Sequence, residues 1–420
     1  MPPSPAERKG PRDDRFLLVV PWELNHPGGV NQVVRNLYDG MARRPGLRPW
    51  VAVKSWGHPR PRAGRTEGRR TLRLRLREPF PGTGGIKARL LFWLTLPAVL
   101  VRLHRWLRRH RVTVVNAHYP GLWLLPVALL RGSGLWQGRL ILSLHGQDLR
   151  DARQWRGVRG RLWQWLGRRA DRIGACSEAL AAEARAALPA VAERIQALPN
   201  GVAPDRIRAT AARPATLAGA RAPAAGYLAC VATFEAKKGQ DVLIRAFQAL
   251  AADYPGLDLV LAGRRAGAWD GLRSLVRELG LADRVHFLPN LDHDQALGVI
   301  RDARVFVLPS RYEPFGIVLL EAGVFAVPVV ASRVGGIPQI VRADRDGLLV
   351  PPEEPAALAA SLRALLADPG RARQLGESLQ RRVLAEFTWS RAVERYLRVA
   401  GVAPPTGSAA MAEATGWRGP

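Results

Sequence analysis

Short apolar runs alternate with segments of helical periodicity from about residue 15 to residue 400, and this pattern restricts the fold more than any other feature of the chain. FLLVV (16–20), WVAVKSW (50–56), VTVVNAH (112–118), RLILSLH (139–145) and RIGACS (172–177) read as strands in the first half. TLRLRLR (71–77) alternates strictly and reads as a half-exposed strand with arginines on its wet face. YLACVATF, LDLVLAG, VHFLP, ARVFVLPS, VPVVAS and GLLVP repeat the pattern in the second half. Between them, DVLIRAFQALAADY, DGLRSLVRELG, DQALGVIRD and FGIVLLEAGVFA carry helical spacing. Strand followed by helix, many times over, implies mainly parallel sheets covered by helices.

A chain of 420 residues is long enough for two such domains. Residues 203–225 lose apolar periodicity and gain Ala, Arg and Pro. The expected division is a disordered tail at 1–14, a first domain at 15–203, a linker at 204–225 and a second domain at 226–388. A helix at 389–402 crosses back to the first domain, and a second disordered tail follows at 403–420. The predicted fold class is α/β, with two Rossmann-like, doubly wound domains facing each other across a cleft. In open α/β sheets ligands bind beyond the carboxyl ends of the strands. Gly28, Gly29, His118, His145, Ser177, Lys238 and Glu313 all fall there.

The formal net charge is +28, and most of it belongs to the first half: residues 1–200 hold 36 Lys+Arg against 13 Asp+Glu. Such a surface favours anionic partners, although an Arg-, Ala-, Gly- and Pro-rich composition is also what codon bias produces. Residues 86–110 join a bulky apolar run to a basic end, and 153–169 set Trp155, Val158, Leu162 and Leu166 at helical spacing among arginines. Helices of this kind lie on anionic membranes, or else pack on a sheet with their arginines in water. The run Leu90–Val101 would reach about 18 Å as a helix, against roughly 30 Å for a bilayer core. The expected location is cytoplasmic, peripheral on the inner face of the cell membrane, with neither a signal peptide nor a membrane span. Cys176 and Cys230 read as buried thiols.

The densest chemistry lies in RYEPFGIVLLEAG (311–323). Glu313 follows a strand, Pro314 and Gly316 permit a tight turn, and a helix begins near Phe315. Free N–H groups at a helix start suit phosphate or sugar oxygens. Glu321 lies eight residues on, about two helical turns away. Two carboxylates so placed suit hydroxyls on two parts of an extended ligand; both also suit a structural role. Gly28 and Gly29 let backbone approach a ligand closely, or simply make a turn. His145 in LHGQD suits a sugar hydroxyl, or a loop capped through Asp148; His118 lines the same edge. His286 and His293 lack further ligands at metal spacing, and Asp344–Arg345–Asp346 reads as a turn, so no metal site is expected.

Taken in order, these segments resemble the family-4 retaining glycosyltransferases with the GT-B fold. The likeness covers about residues 15–400 and includes PGGVNQVVRNL (27–37), LSLHGQDL (142–149), KKGQDVLIRAFQAL (237–250), PSRYEPFGIVLLEAG (309–323) and PVVASRVGGIPQIV (328–341). The resemblance implies that Glu313 contacts the transferred sugar and that the Phe315–Gly316–Ile317 backbone contacts sugar or phosphate oxygens. It further implies that Glu321 holds the ribose and that Leu288, Pro289 and Asn290 lie near the base. Lys238 would meet the donor diphosphate, with Gly28 and Gly29 over it, and His145 would act at the reacting sugar. Catalysis is expected from Glu313, His145 and Lys238, with His118 and Asp148 on the acceptor side. Thr233 stands where the family pattern has an arginine. The implied donor is a UDP-, GDP- or ADP-linked sugar, used without cofactor or metal. The acceptor is a glycan or lipid-linked glycan of cell-surface polysaccharide synthesis. Alternatives are a catalytically weakened relative, a sugar-nucleotide epimerase, or a protein that binds anionic membrane or nucleic acid through its arginines. Nucleic acid is the weaker partner, because no recognition motif accompanies the charge.

Overall fold

The computed structural model describes residues 15–24, 28–54, 61–80, 85–210 and 226–402. The two tails and residues 211–225 of the expected linker lie outside these. The chain forms two compact units. One comprises the residues up to Cys176, Leu180–Leu198 and the chain from Trp389; the other comprises Ser177–Ala179 and Pro199–Thr388.

The first unit is built on β1 (Phe16–Val20), β2 (Trp50–Lys54), β3 (Arg62–Thr66), β4 (Arg69–Leu74), β5 (Val114–His118), β6 (Arg139–Leu144), β7 (Arg172–Ala175) and β8 (Ile195–Ala197). Its sheet runs β3-β4-β2-β1-β5-β6-β7-β8. Every pairing is parallel except β3 with β4. β1 and β5 bury all five residues each, because helices cover both faces of a central parallel strand. β3 was not foreseen: RAGRT carries no apolar alternation, and its residues are mostly exposed at the sheet edge. The reversal is made by Glu67 and Gly68, both at positive φ (50° and 77°), the pair of left-handed residues a two-residue hairpin needs.

Helices α1 (Gly29–Ala42), α2 (Gly85–Arg109), α3 (Leu125–Gly132), α4 (Gln147–Arg153), α5 (Gly157–Arg169) and α6 (Glu178–Ala187) connect these strands. The 153–169 stretch is not one helix. α4 ends at Arg153 and α5 begins at Gly157, whose φ of 58° is left-handed, so Trp155 lies in the joint and off the face of Leu162 and Leu166. α2 buries Phe92, Leu103, Trp106 and Leu107, while Ile86, Leu90, Leu91, Trp93, Leu94 and Val101 stay exposed, Leu94 at 78%.

The second unit begins with α7 (Pro204–Thr210), which corrects the expectation of linker from residue 204. Pro204 suits a first helical turn, and Ile207 is buried. Six parallel strands follow: β9 (Tyr227–Val231), β10 (Asp258–Gly263), β11 (Val285–Pro289), β12 (Val305–Leu308), β13 (Val329–Ser332) and β14 (Leu348–Val350). Their order, β11-β10-β9-β12-β13-β14, is the 3-2-1-4-5-6 arrangement of dinucleotide-binding sheets. α8 (Gln240–Ala251), α9 (Trp269–Glu278), α10 (His293–Arg301), α11 (Ile317–Val324), α12 (Ile337–Ile340), α13 (Pro355–Ala367) and α14 (Pro369–Glu386) surround it. The core joins Leu228, Leu259 and Leu261 of the sheet to Leu243, Phe247 and Leu250 of α8 and Leu362 of α13.

The last helix, α15 (Trp389–Val399), belongs to the first unit and lies against α1. A Cβ at Gly40 of α1 would stand 2.6 Å from a methyl of Val393, so glycine is what allows the two helices to approach. Cys176 and Cys230 are free and buried. Among the described residues, no helix is long and apolar enough to cross a membrane.

Candidate functional site

In the second unit the chemistry gathers in the loops that leave the carboxyl ends of β9, β11, β12 and β13. Glycines set how closely those loops approach. Gly239 has φ 66°, and a Cβ there would lie 2.0 Å from the Pro309 carbonyl oxygen. The loop after β9 therefore presses on the loop after β12, and Lys238 Nζ reaches Glu313 Oε2 at 2.8 Å. Glu313 is 9% exposed. Its backbone is gripped from the loop after β13: Gly336 N–H donates to the Glu313 carbonyl at 3.0 Å. Gly335, at φ 50°, leaves no room for a Cβ, which would sit 2.1 Å from that same oxygen.

Gly316 takes φ 102°, a left-handed turn that delays the helix to Ile317; Phe315 is outside it, contrary to expectation. The free N–H groups of the first turn of α11 thus follow Glu313 directly. Glu321, on α11, is 6% exposed, and its Oε1 lies 3.6 Å from His293 Nε2 at the start of α10. Pro289 ends β11, and Asn290 takes φ 56°, accepting from the Arg265 N–H at 3.2 Å and donating to the Gly263 carbonyl at 2.8 Å. Arg311, two residues before Glu313, holds both Asp241 oxygens at 2.8 and 2.7 Å. Burial alone would raise the Asp241 carboxyl, but its bonds to Arg311 outweigh this and hold it below the usual range.

Thr233 sits in the turn after β9 and offers its carbonyl to the Gln240 side chain at 3.1 Å. Lys237, a candidate replacement for the missing arginine, is paired with Glu235 at 2.7 Å. Phe234 N–H donates to the Arg264 carbonyl at 3.0 Å, which brings Arg264 and Arg265 to this turn instead.

In the first unit His118 and His145 converge. His118 Nδ1 and His145 Nε2 are 3.1 Å apart, and the Tyr396 ring of α15 stacks on His118 at 5.9 Å between centroids. His118 Nε2 is buried without a hydrogen-bond partner among the described residues. Burial pushes His145 down to about 4, and burial with the His145 neighbour holds His118 well below the usual imidazole range. Asp148 caps the loop through backbone, not through the imidazole ring: it accepts from the N–H groups of His145 (3.0 Å), Gly146 (2.8 Å) and Leu149 (3.0 Å). Burial nevertheless raises its carboxyl to about 7 against those bonds. Gly28, at φ 153°, precedes α1, and a Cβ there would meet nothing within 4 Å; Gly28 and Gly29 are both exposed.

Each unit thus gathers its own group: Lys238, Glu313, Phe315–Ile317, Glu321 and Pro289–Asn290 in the second, and His118, His145 and Asp148 in the first. Sequence reasoning had weighed His293 only as a metal ligand and had not singled out the Arg311–Asp241 brace. Among the described residues no cluster of three or more His, Cys, Asp or Glu could hold a metal ion.

Comparison with known proteins finds a match to the family model described as Glycosyl transferases group 1 over residues 221–382, and to Glycosyltransferase Family 4 over residues 27–206. The glycogen synthase of Mycobacterium tuberculosis is 30% identical over 290 residues, covering 67% of each chain. The D-inositol 3-phosphate glycosyltransferase of Salinispora tropica is 39% identical over 190 residues, 43% of this chain and 39% of that one. Among solved structures, sucrose-phosphate synthase from Thermosynechococcus elongatus superposes with a TM-score of 0.70 at 25% identity, over 92% of this chain and 98% of the other.

Proposed function

The chain belongs to the group 1 glycosyl transferases of the GT-B fold, and on that premise we propose that it moves a sugar from a nucleoside-diphosphate donor to a hydroxyl acceptor with retained anomeric configuration. The observation that carries this reading is the Lys238–Glu313 pair, 2.8 Å apart, set beside the start of α11.

In this reading the first-turn N–H groups of α11 and the Lys238 ammonium meet the diphosphate. The N–H groups are fixed in place and the ammonium turns to the ligand from Glu313, so together they stabilise negative charge that grows as the nucleotide leaves. That supplies the neutralisation a metal ion would otherwise give. Glu313 accepts from hydroxyls of the transferred sugar, and Glu321 from the ribose. Asn290, at the end of β11, lies by the base. The bond from the anomeric carbon to the diphosphate oxygen breaks, and a bond from that carbon to the acceptor oxygen forms on the same face. The acceptor proton passes to the departing phosphate oxygen, so no protein base is consumed. His145, neutral at pH 7, is a hydrogen-bond donor or acceptor toward the reacting sugar or the acceptor.

The acceptor in this reading is a glycan or lipid-linked glycan of surface polysaccharide synthesis, used at the inner face of the cell membrane. Supporting it, α2 exposes Ile86, Leu90, Trp93 and Leu94, with the exposed cations Lys87 and Arg89 on the same turns. Apolar anchors with nearby cations suit an anionic bilayer surface. The test of the enzymatic reading is incubation of purified protein with UDP-, GDP- and ADP-sugars and an acceptor library, with NMR assignment of the product anomer. Transfer with retained configuration is expected; inversion, or no turnover of any donor, overturns it.

A further inference from the structure

The first unit contains an open cavity of about 560 Å³ at the carboxyl ends of β1 and β5. The sheet leaves β1 toward β2 on one side and β5 on the other, which makes this the point where strand order reverses and ligands are held. The volume falls in the usual range of small-molecule sites.

Its walls have two characters. One is aromatic. The Trp22 indole N–H is satisfied internally by Asn31 Oδ1 at 2.9 Å, so the ring offers apolar surface. It meets Tyr119 edge-on at 5.0 Å between centroids. Tyr119 stands at φ 55°, a conformation costly for a bulky residue and most often kept where the side chain serves a site. Trp155, in the joint between α4 and α5, is braced edge-on by Trp163 at 5.7 Å. The other character is acidic: Glu78, Asp148 and Asp151 line the space, with the Gln154 amide beside them. Arg159 is the single basic residue among the described lining residues. Its guanidinium lies 4.1 Å from the Trp155 ring centroid, with Nε buried and without a hydrogen-bond partner among the described residues. Lys54 reaches Glu78 at 3.5 Å, but it is not part of the lining.

This balance discriminates between acceptor classes. A phosphate needs converging cations or free N–H groups. Here the Glu78 and Asp151 carboxylates would face it, Asp148 being turned to its own backbone N–H groups, and the one cation lies against a ring. A sugar ring fits both walls, its C–H faces against the indoles and phenol and its hydroxyls donating to carboxylates and amide. We propose that this cavity holds the acceptor as an unphosphorylated sugar, packed on Trp155 and Tyr119 with its hydroxyls on Asp151, Glu78 and Gln154. The proposal rests on the glycosyl-transfer reading and narrows it, since sugar phosphates and inositol phosphates are excluded from this position despite the strongly basic chain.

The test is saturation-transfer NMR on the full chain. The probes are methyl glucoside, galactoside, mannoside and N-acetylglucosaminide, set against glucose 6-phosphate and inositol 1-phosphate; UDP and GDP binding is measured in parallel. At least one neutral glycoside is expected to bind, at least about tenfold tighter than either phosphate. Trp155→Ala should weaken it about tenfold, and Asp151→Asn should weaken it severalfold without disturbing the aromatic wall. Nucleotide affinity should be unchanged in both variants. Tighter binding of a phosphate, or no glycoside binding by a protein that binds nucleotide, overturns the proposal alone. So does glycoside binding indifferent to both substitutions. Failure to bind any nucleotide or nucleotide sugar instead overturns the reading beneath it.

Discussion

Lys238 Nζ lies 2.8 Å from Glu313 Oε2, joining the loop after β9 to the loop after β12. The pair is mostly buried, so each group holds the other's charge until a donor arrives. In the proposed mechanism the ammonium turns to the diphosphate and the carboxylate to the sugar. The two substitutions should therefore fail differently. Glu313→Gln is expected to lower kcat by about 10²–10³ while leaving affinity for the free nucleotide within about twofold. Lys238→Ala should lower both kcat and nucleotide-diphosphate affinity. Steady-state kinetics with parallel nucleotide titrations check the split; equal losses in both variants would contradict it.

Glu321 is buried on α11 with His293 beside it. If it holds the ribose, Glu321→Ala should weaken the donor and the free nucleotide alike by about 1.5–3 kcal/mol, the worth of hydrogen bonds to a charged group. Calorimetric titration of both ligands reads this directly. A loss confined to the sugar nucleotide would place Glu321 at the sugar instead.

Gly335 supports Glu313 through backbone contact. Gly335→Ala places a Cβ 2.1 Å from the Glu313 carbonyl oxygen at φ 50°. The expected outcome is a lower Tm, equivalent to about 1–3 kcal/mol, with a loss of turnover larger than that of stability. Thermal unfolding and kcat measured on the same preparation check it.

His118 and His145 stay neutral in the fold because burial lowers both, His145 to about 4. Below the unfolded imidazole value of about 6.5 the unfolded chain binds protons that the folded chain does not. Their stabilisation is therefore complete above about pH 6.5 and is lost as pH falls toward 4. Asp148 works the other way: with its carboxyl pushed up to about 7, its contribution is complete only below the unfolded value near 3.8 and is lost as pH rises through 7. His118→Asn keeps a polar atom toward His145 and removes one titrating group. Its denaturation free energy should fall less steeply than that of the wild type between pH 6.5 and 5, by about 1.4 kcal/mol per pH unit. An unchanged slope would show that His118 is not held neutral.

The exposed face of α2 offers Leu90 and Leu94 to water at 58% and 78%. Co-sedimentation with phosphatidylglycerol vesicles should be strong at low salt and weaken as salt rises. Leu90→Glu with Leu94→Glu should reduce it at least about tenfold, while neutral phosphatidylcholine vesicles bind poorly throughout. Equal recovery of variant and wild type would remove the membrane from the account.

Where sequence reading succeeded, the information was local. RYEPFGIVLLEAG contains its own turn, helix start and both carboxylates, so Glu313, Gly316 and Glu321 could be recognised together. The two sheets were legible for a similar reason, since buried parallel strands write themselves as continuous apolar runs. β3 was not, because an exposed edge strand needs no apolar residues. α7 was lost because a seven-residue helix with one buried residue, Ile207, leaves little periodicity. The aromatic cavity draws Trp22, Tyr119 and Trp155 from three loops about a hundred residues or more end to end, and no spacing rule links them. Trp155 was even placed on the wrong face, because the left-handed Gly157 breaks a helix that side-chain spacing alone made continuous.

Calorimetric titration of the purified protein with UDP-, GDP- and ADP-sugars tests the central claim most directly, with the Lys238→Ala, Glu313→Gln and Glu321→Ala variants alongside. The account predicts one saturable site selective for one of the three nucleotides, weakened at least about tenfold by Glu321→Ala and Lys238→Ala. No binding by any donor, or binding indifferent to all three substitutions, would contradict it.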